Sequence, residues 1–356
     1  MNNSDFKYIQ NCLSEDLFNT TNSVANTSYD CSFEELNTFL NIHKVDTLLW
    51  SFLKNKALIK AEHQEQAKLY LKKKKAFTLF RYSTFLQINH LLKEKGIQVI
   101  NFKGILQSVL MYGNPYTRSS KDIDLLIRLE DLKHIDDTLL SLGFECNHNW
   151  KGFNKKYTKA FFKYQKELHY VHTKTGINID IHWKITILED MLDFSMKEAF
   201  ESAIEVNIEG KSFLGLSEEH NRSYLHYHHE QDGMRTLSAL IDVIHYYNDN
   251  PISLEKDIQK NPNSNTLRLS QDCIEAKSLI TTSSQKHWET QSKKEDHNAK
   301  KLVQKLISLP GLKQKKHFLM LFLIEPNEMA YVKATILYWF RYYVKRLLSS
   351  STISGK

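Results

Sequence analysis

The chain has 356 residues, and its 48 Lys and Arg against 41 Asp and Glu give a formal net charge of +7. Hydrophobic residues at 41% and charged residues at 25% are the balance of an ordinary globular protein, which excludes wholesale disorder. Only 11 Gly and 5 Pro exclude collagen-like and low-complexity chains and disfavour a turn-rich all-β fold, and the length suits about two domains.

Residues 1–28 are polar and rich in Asn, Ser and Thr, which predicts a flexible leader. A helical region follows over 29–96. Phe33, Leu36, Phe39 and Leu40 recur at helical spacing, and Ser32 with Glu35 forms a capping box at the start. A long helix is predicted over 62–95, with Lys72–Lys75 on its basic face and Gly96 as its stop. The texture then changes. Residues 97–102 (IQVINF) read as a short strand, Lys103-Gly104 as a strand-to-helix junction, and 122–129 (DIDLLIRL) as a second strand. An amphipathic helix closes at Gly143, and 166–174 with 177–185 form a hairpin turning at Thr175-Gly176. Helices return over 217–231 and 234–248. Residues 250–300 are polar and predict one or two surface helices, and two apolar segments, 317–324 and 336–348, close the chain.

The four cysteines, Cys12, Cys31, Cys146 and Cys273, form no CxxC pair, so neither a zinc knuckle nor a disulfide scaffold is expected. The first ten residues lack a charged-then-apolar signal pattern. The longest apolar run, Phe318–Ile324, is far short of the roughly 20 residues that span a bilayer. A cytoplasmic protein without stable membrane insertion is expected.

The chemistry concentrates in the middle of the chain. On a strand, residues i and i+2 share a face, so Asp122 and Asp124 project together while Ile123 and Leu125 pack the other way. Two carboxylates so close repel each other unless a cation lies between them, and Mg²⁺, with Mn²⁺ as alternate, takes oxygen ligands of this kind. Asp180 and His182 alternate in the same way with Ile179 and Ile181 on a later strand. Three converging carboxylates would suit a two-metal site for phosphoryl or nucleotidyl transfer. Lys103 and Gly104 stand where a helix N-terminus offers free N–H groups to phosphate, and Arg118 and Ser120 add a guanidinium and a hydroxyl.

The segment FKGILQSVLMYGNPYTRSSKDIDLLI, followed by NIDIHW, resembles the uncharacterised nucleotidyltransferase family of the polymerase-β-like nucleotidyltransferase superfamily, whose members share a KG-helix-R-x-x-x-DIDLL core and a later D-x-HW strand. The likeness extends outwards to LNIHKVDTLLWSFL and to SYLHYHHEQDGMRTLSALIDVIHYY, where Asp242 lies on the second helix. It implies an α+β fold, a small mixed sheet with helices forming a core over 97–215, with a C-terminal helical region over 216–356. It also implies Asp122, Asp124 and Asp180 as catalytic metal ligands, with Lys103, Gly104, Arg118, Ser120 and His182 binding the nucleotide. The reaction would move a nucleoside monophosphate from an NTP, ATP among the candidates, to an acceptor that is a small molecule, a sugar, tRNA or protein. The chain departs from the superfamily in carrying Lys-Gly where Gly-Ser is usual, and in a longer Gly104-to-Asp122 spacing closer to the abortive-infection toxin branch.

Rival readings share these residues. A γ-phosphotransferase would use the same metal-bound triphosphate, and a catalytically inactive module would only bind nucleotide. His226 and Glu230, one helical turn apart, raise a hydrolase, although the spacing is not HExxH. The aromatic-basic stretch Tyr338–Arg346 suits either a packed helix or contact with a membrane surface or RNA.

Overall fold

In the computed structural model, residues 2–20, 28–118, 120–187, 192–248, 250–292, 306, 309 and 311–323 are described. Asn2 caps α1 (Asn3–Phe18) by accepting from the Asp5 amide, and Asp5 returns to the Asn2 amide. α1 buries Ile9, Cys12 and Leu13, an i, i+3, i+4 face hidden in a polar composition, so these residues are not a loose leader. The Ser32–Glu35 capping box opens α2 (Phe33–Ile42) as read. The apolar pattern continues, but the helix does not: Lys44 takes φ +55 and the chain restarts as α3 (Asp46–Asn55). α4 (Gln64–Glu94) ends where Gly96 takes φ +71 and the Ile97 amide returns to the Leu92 carbonyl.

The middle of the chain runs β1 (Ile100–Asn101), α5 (Gly104–Tyr112), β2 (Asp122–Leu126), α6 (Leu132–Ser141), β3 (Phe144–Cys146), α7 (Lys155–Tyr164), β4 (Glu167–His172) and β5 (Asn178–His182). It continues through α8 (Met196–Glu201), β6 (Ile204–Ile208), β7 (Lys211–Gly215), α9 (Glu218–Asp232), α10 (Leu237–Asn248), α11 (Pro251–Lys260), α12 (Asn265–Ala276) and α13 (Thr282–Ser292). A last described helix, α14, covers Leu312–Leu323. The strands make a seven-stranded mixed sheet in the order β3-β4-β5-β2-β1-β7-β6, so the fold is α+β. No helix among the described residues is long and apolar enough to cross a membrane.

The chain divides into two compact units, Met1–Leu125 with Asp193–Lys293, and Leu126–Leu192 with Lys294–Lys356. The division cuts through the stretch 97–215 rather than at its ends. In the first unit, Leu36, Leu40, Leu49, Trp50 and Leu53 pack with Leu237, Leu240, Ile241, Leu269 and Cys273 in one core. The polar stretch after 250 therefore supplies buried side chains as well as surface. β1 pairs in parallel with β7, Asn101 opposite Gly215, and β6 and β7 form a hairpin. Its turn residues Glu209 and Gly210 both take positive φ, +49 and +82, the backbone that matches strand twist. In the second unit, β3, β4 and β5 are antiparallel, and the Ile127 amide donates to the His182 carbonyl at 2.8 Å.

Candidate active site

In the first unit, β1 delivers the chain to Lys103 and α5 begins at Gly104. Gly104 takes φ +52, and a Cβ there would lie 3.0 Å from Ser120 Oγ and 3.2 Å from the Asp122 carbonyl oxygen. The start of α5 thus touches the loop and strand that carry the paired acids, an approach that a Cβ would crowd. Ser120 Oγ donates to the Asp122 carbonyl at 2.9 Å, and Arg81 of α4 donates to the Ser120 carbonyl. Lys103 Nζ lies 2.8 Å from Asp124 Oδ1, whose side chain is almost fully buried. The ammonium also lies over the Phe102 ring at 4.9 Å and the Tyr224 ring at 5.8 Å. Burial pushes the Tyr224 hydroxyl up to about 12, against the pull of Lys103 and with the help of Asp124.

Arg118 is held from α10. Its Nε lies 3.1 Å from Asp242 Oδ1 and its Nη2 2.8 Å from Oδ2, while the Arg118 amide donates to Ser108 Oγ on α5. Burial alone would push the Asp242 carboxyl up, but Arg118 and His229 outweigh it and hold it well below the usual carboxylate range.

In the second unit, the hairpin of β4 and β5 pairs His169 with Asp180 and Glu167 with His182. Strand alternation puts these four side chains on one face, while Leu168, Tyr170, Ile179 and Ile181 are fully buried on the other. His169 Nδ1 bonds Asp180 Oδ1, and His182 Nδ1 lies 2.9 Å from Glu167 Oε2. Burial would raise the Glu167 carboxyl, yet His182 and Lys166 hold it well below its ordinary range.

The profile of the uncharacterised nucleotidyltransferase family matches residues 31–266. The chain belongs to that family. Its match takes in every residue named above as catalytic or nucleotide-binding. No curated protein matches the chain. The solved structure of ANT(2″)-Ia in complex with adenylyl-2″-tobramycin aligns with this nucleotidyltransferase at 14% identity and a TM-score of 0.33, over 55% of this chain and 96% of that one. An antigenic nucleotidyltransferase-like protein from Paracoccidioides brasiliensis aligns at 14% identity and a TM-score of 0.28, over 55% and 91%.

Within this nucleotidyltransferase, the first unit gathers Lys103, Gly104, Ser120, Asp122 and Asp124 around the start of α5. The second unit sets Asp180 and His182 on one hairpin face. Arg118, expected at the phosphate, is ion-paired with Asp242. Ser119 lies outside the described residues. Sequence reasoning missed Glu167 and Tyr224, whose partners become visible only when register and packing are known. Of the two β4 histidines, His169 is the one on the Asp180 face; His172 accepts from the Thr175 amide and stacks edge-on with Phe144.

The histidine helix does not build a hydrolase site among the described residues. His226 Nε2 lies 2.9 Å from Ser264 Oγ, and Glu230 accepts from Ser264 Oγ and the Thr266 amide at the start of α12. These two side chains brace a helix start. The stretch Tyr338–Arg346 lies outside the described residues.

Proposed function

We propose that the chain is a Mg²⁺-dependent nucleotidyltransferase, with Mn²⁺ as an alternate ion, which moves a nucleoside monophosphate from an NTP to an acceptor and releases pyrophosphate. The single observation that carries this reading is the close approach of Gly104, at the start of α5, to Ser120 and Asp122, where an added Cβ would lie 3.0 Å from Ser120 Oγ and 3.2 Å from the Asp122 carbonyl oxygen. It brings free helix N–H groups beside the paired acids, as a metal-bound triphosphate requires.

Asp122, Asp124 and Asp180 are the proposed metal ligands, with His182 beside Asp180 on its strand. The donors are mostly hard carboxylate oxygens, which fit Mg²⁺ or Mn²⁺ better than a soft-ligand metal. When bound, the metal would supply charge neutralisation at the α-phosphate and a lower acceptor pKa. The chain's own residues do the rest. Lys103 and the first amides of α5 bind the triphosphate, and Gly104 and Ser120 shape its cradle. Arg118 acts as a positioning residue through Asp242. The acceptor oxygen attacks the α-phosphorus as the bond to the β-phosphate oxygen breaks, and its proton passes to a carboxylate, for which Asp180 is the candidate.

The acceptor is a small molecule, a sugar, tRNA or protein, and the acting compartment is the cytoplasm, which the four free cysteines suit. The test incubates the protein and its Asp122→Asn and Asp124→Asn variants with NTPs labelled at the α-phosphate and a cell extract. Label on an acceptor, dependent on Mg²⁺ and on both acids, supports the reading. Transfer from the γ-position instead would establish a γ-phosphotransferase. Nucleotide binding with no transfer of either kind would leave a binding module.

A further inference from the structure

Helix α4 has a feature that the proposed activity does not use. From Ala67 to Lys93 it carries seven Lys and Arg and no Asp or Glu. Within this stretch, large apolar side chains face outwards: Leu69 is 68% exposed, Phe77 49%, Leu79 53% and Phe80 47%.

Helical spacing orders these residues. Leu69, Ala76 and Phe80 fall at i, i+7 and i+11, within about 20° of one line along the helix. Lys72 and Lys73, both exposed, flank that line on either side. Phe77 and Leu79 lie about 80° to either side of the line, beyond the two lysines. Lys74 is engaged by Asp46 at 3.0 Å, Lys68 by Glu65 at 3.5 Å, and Lys75 lies over the Tyr116 ring at 5.7 Å, so the outward charge near the line comes chiefly from Lys72 and Lys73. A soluble chain seldom exposes so many large apolar groups on one helix without a partner.

We infer that this face of α4 docks on an anionic phospholipid surface. An apolar line bordered by lysines is the pattern of a helix lying in the membrane interface, its apolar groups at the acyl boundary and its ammonium groups at headgroup phosphates. RNA would satisfy the lysines and could stack on Phe77 and Phe80. It offers nothing to Leu69 and Leu79, which have no ring, and the line lacks the amide and hydroxyl groups that read bases. Lipid accounts for Leu69, Phe80 and the flanking charge. No described helix is long and apolar enough to cross the bilayer, so the association is peripheral.

The test sediments the full chain with vesicles of phosphatidylcholine alone and of phosphatidylcholine with about one third phosphatidylserine. Pelleting is expected only with the anionic vesicles, and it weakens as salt rises. Lys72→Glu with Lys73→Glu lowers binding by about tenfold or more, and Leu69→Asp with Phe80→Asp abolishes it, while circular dichroism stays that of the parent. The lysine pair lies on the surface, so it keeps the test sound if the apolar pair fails to fold. Equal pelleting with neutral vesicles, no pelleting with anionic ones, or pelleting indifferent to the lysine pair overturns the inference. So does binding of a fluorescent single-stranded RNA, lost in the lysine variant, by a protein that ignores the vesicles.

Discussion

Arg118 and Asp242, 124 residues apart in sequence, form a two-point ion pair, with Nη2 2.8 Å from Oδ2 and Nε 3.1 Å from Oδ1. Asp242 is fully buried on α10, and His229 Nε2 lies 3.5 Å from the same carboxylate. The pair ties the loop that leads to Ser120 and Asp122 to the helical core. The guanidinium expected at the phosphate thereby also holds the loop in place.

Removing one member of such a pair leaves the other charge poorly solvated. Asp242→Asn is expected to destabilise the chain by about 3–5 kcal/mol, read from urea unfolding. Arg118→Met combined with Asp242→Leu should cost far less than Asp242→Asn alone, because no charge is then stranded. A single variant that unfolds at the parent's urea midpoint would show that the pair does not hold the loop.

The paired acids, the Lys-Gly junction, the capping box at Ser32 and the stop at Gly96 were all legible, because each is a short-range pattern with a local physical cause. The face of the second hairpin was half legible. Alternation placed Asp180 with His182, but His169 and Glu167 join them only through cross-strand register, which no single strand encodes. The ion pair of Arg118 was not legible for a similar reason: its partner lies on a distant helix, and a guanidinium near acids looks the same with or without a carboxylate beside it. α1 was missed because its apolar face is only Ile9, Cys12 and Leu13 within a polar run.

Stability should fall as the medium becomes acidic, in a window set by histidines before carboxylates. Burial lowers the His43 pKa from its ordinary value of 6.5 to about 4, and burial lowers His148, His220 and His226 as well. A histidine kept neutral in the folded state binds its proton more readily when unfolded. Its stabilising contribution is full above about pH 6.5 and is lost as pH falls towards the folded value. For His43 the loss approaches about 3 kcal/mol. Asp242 and Glu167, both held low, extend the decline below the ordinary carboxylate range. His43→Gln should flatten the slope of unfolding free energy between about pH 6.5 and 4. An unchanged slope would assign the acid sensitivity elsewhere.

Gly104→Ala tests the approach of α5 to the acid strand. The new Cβ meets Ser120 Oγ at 3.0 Å and the Asp122 carbonyl at 3.2 Å, on a backbone at φ +52. The strain should cost about 1–2 kcal/mol of stability. Nucleotide transfer should fall by more than that loss explains, about 100-fold, since Ser120 and the Asp122 carbonyl give way beside the helix start. Thermal unfolding and turnover, measured on the same preparation, separate the two effects. A stability loss with normal turnover would mean that the approach serves folding alone.

Lys103 and Asp124 make the sharpest test of the cation reading, because the ammonium at 2.8 Å and a bound metal would draw on the same carboxylate. Lys103→Gln keeps a donor of similar reach but removes the charge. Asp124 is buried, so the variant should be less stable than the parent in EDTA. Mg²⁺ should then restore more stability to the variant than to the parent, since a ligand that binds only the folded state stabilises in proportion to its affinity. The KM for the NTP should rise about tenfold or more, because a charge-assisted contact to phosphate is lost. Melting temperatures against Mg²⁺ concentration give the first readout without any turnover. If Mg²⁺ raises both proteins equally, Asp124 is not a metal ligand, and Lys103 then serves only to neutralise a buried acid.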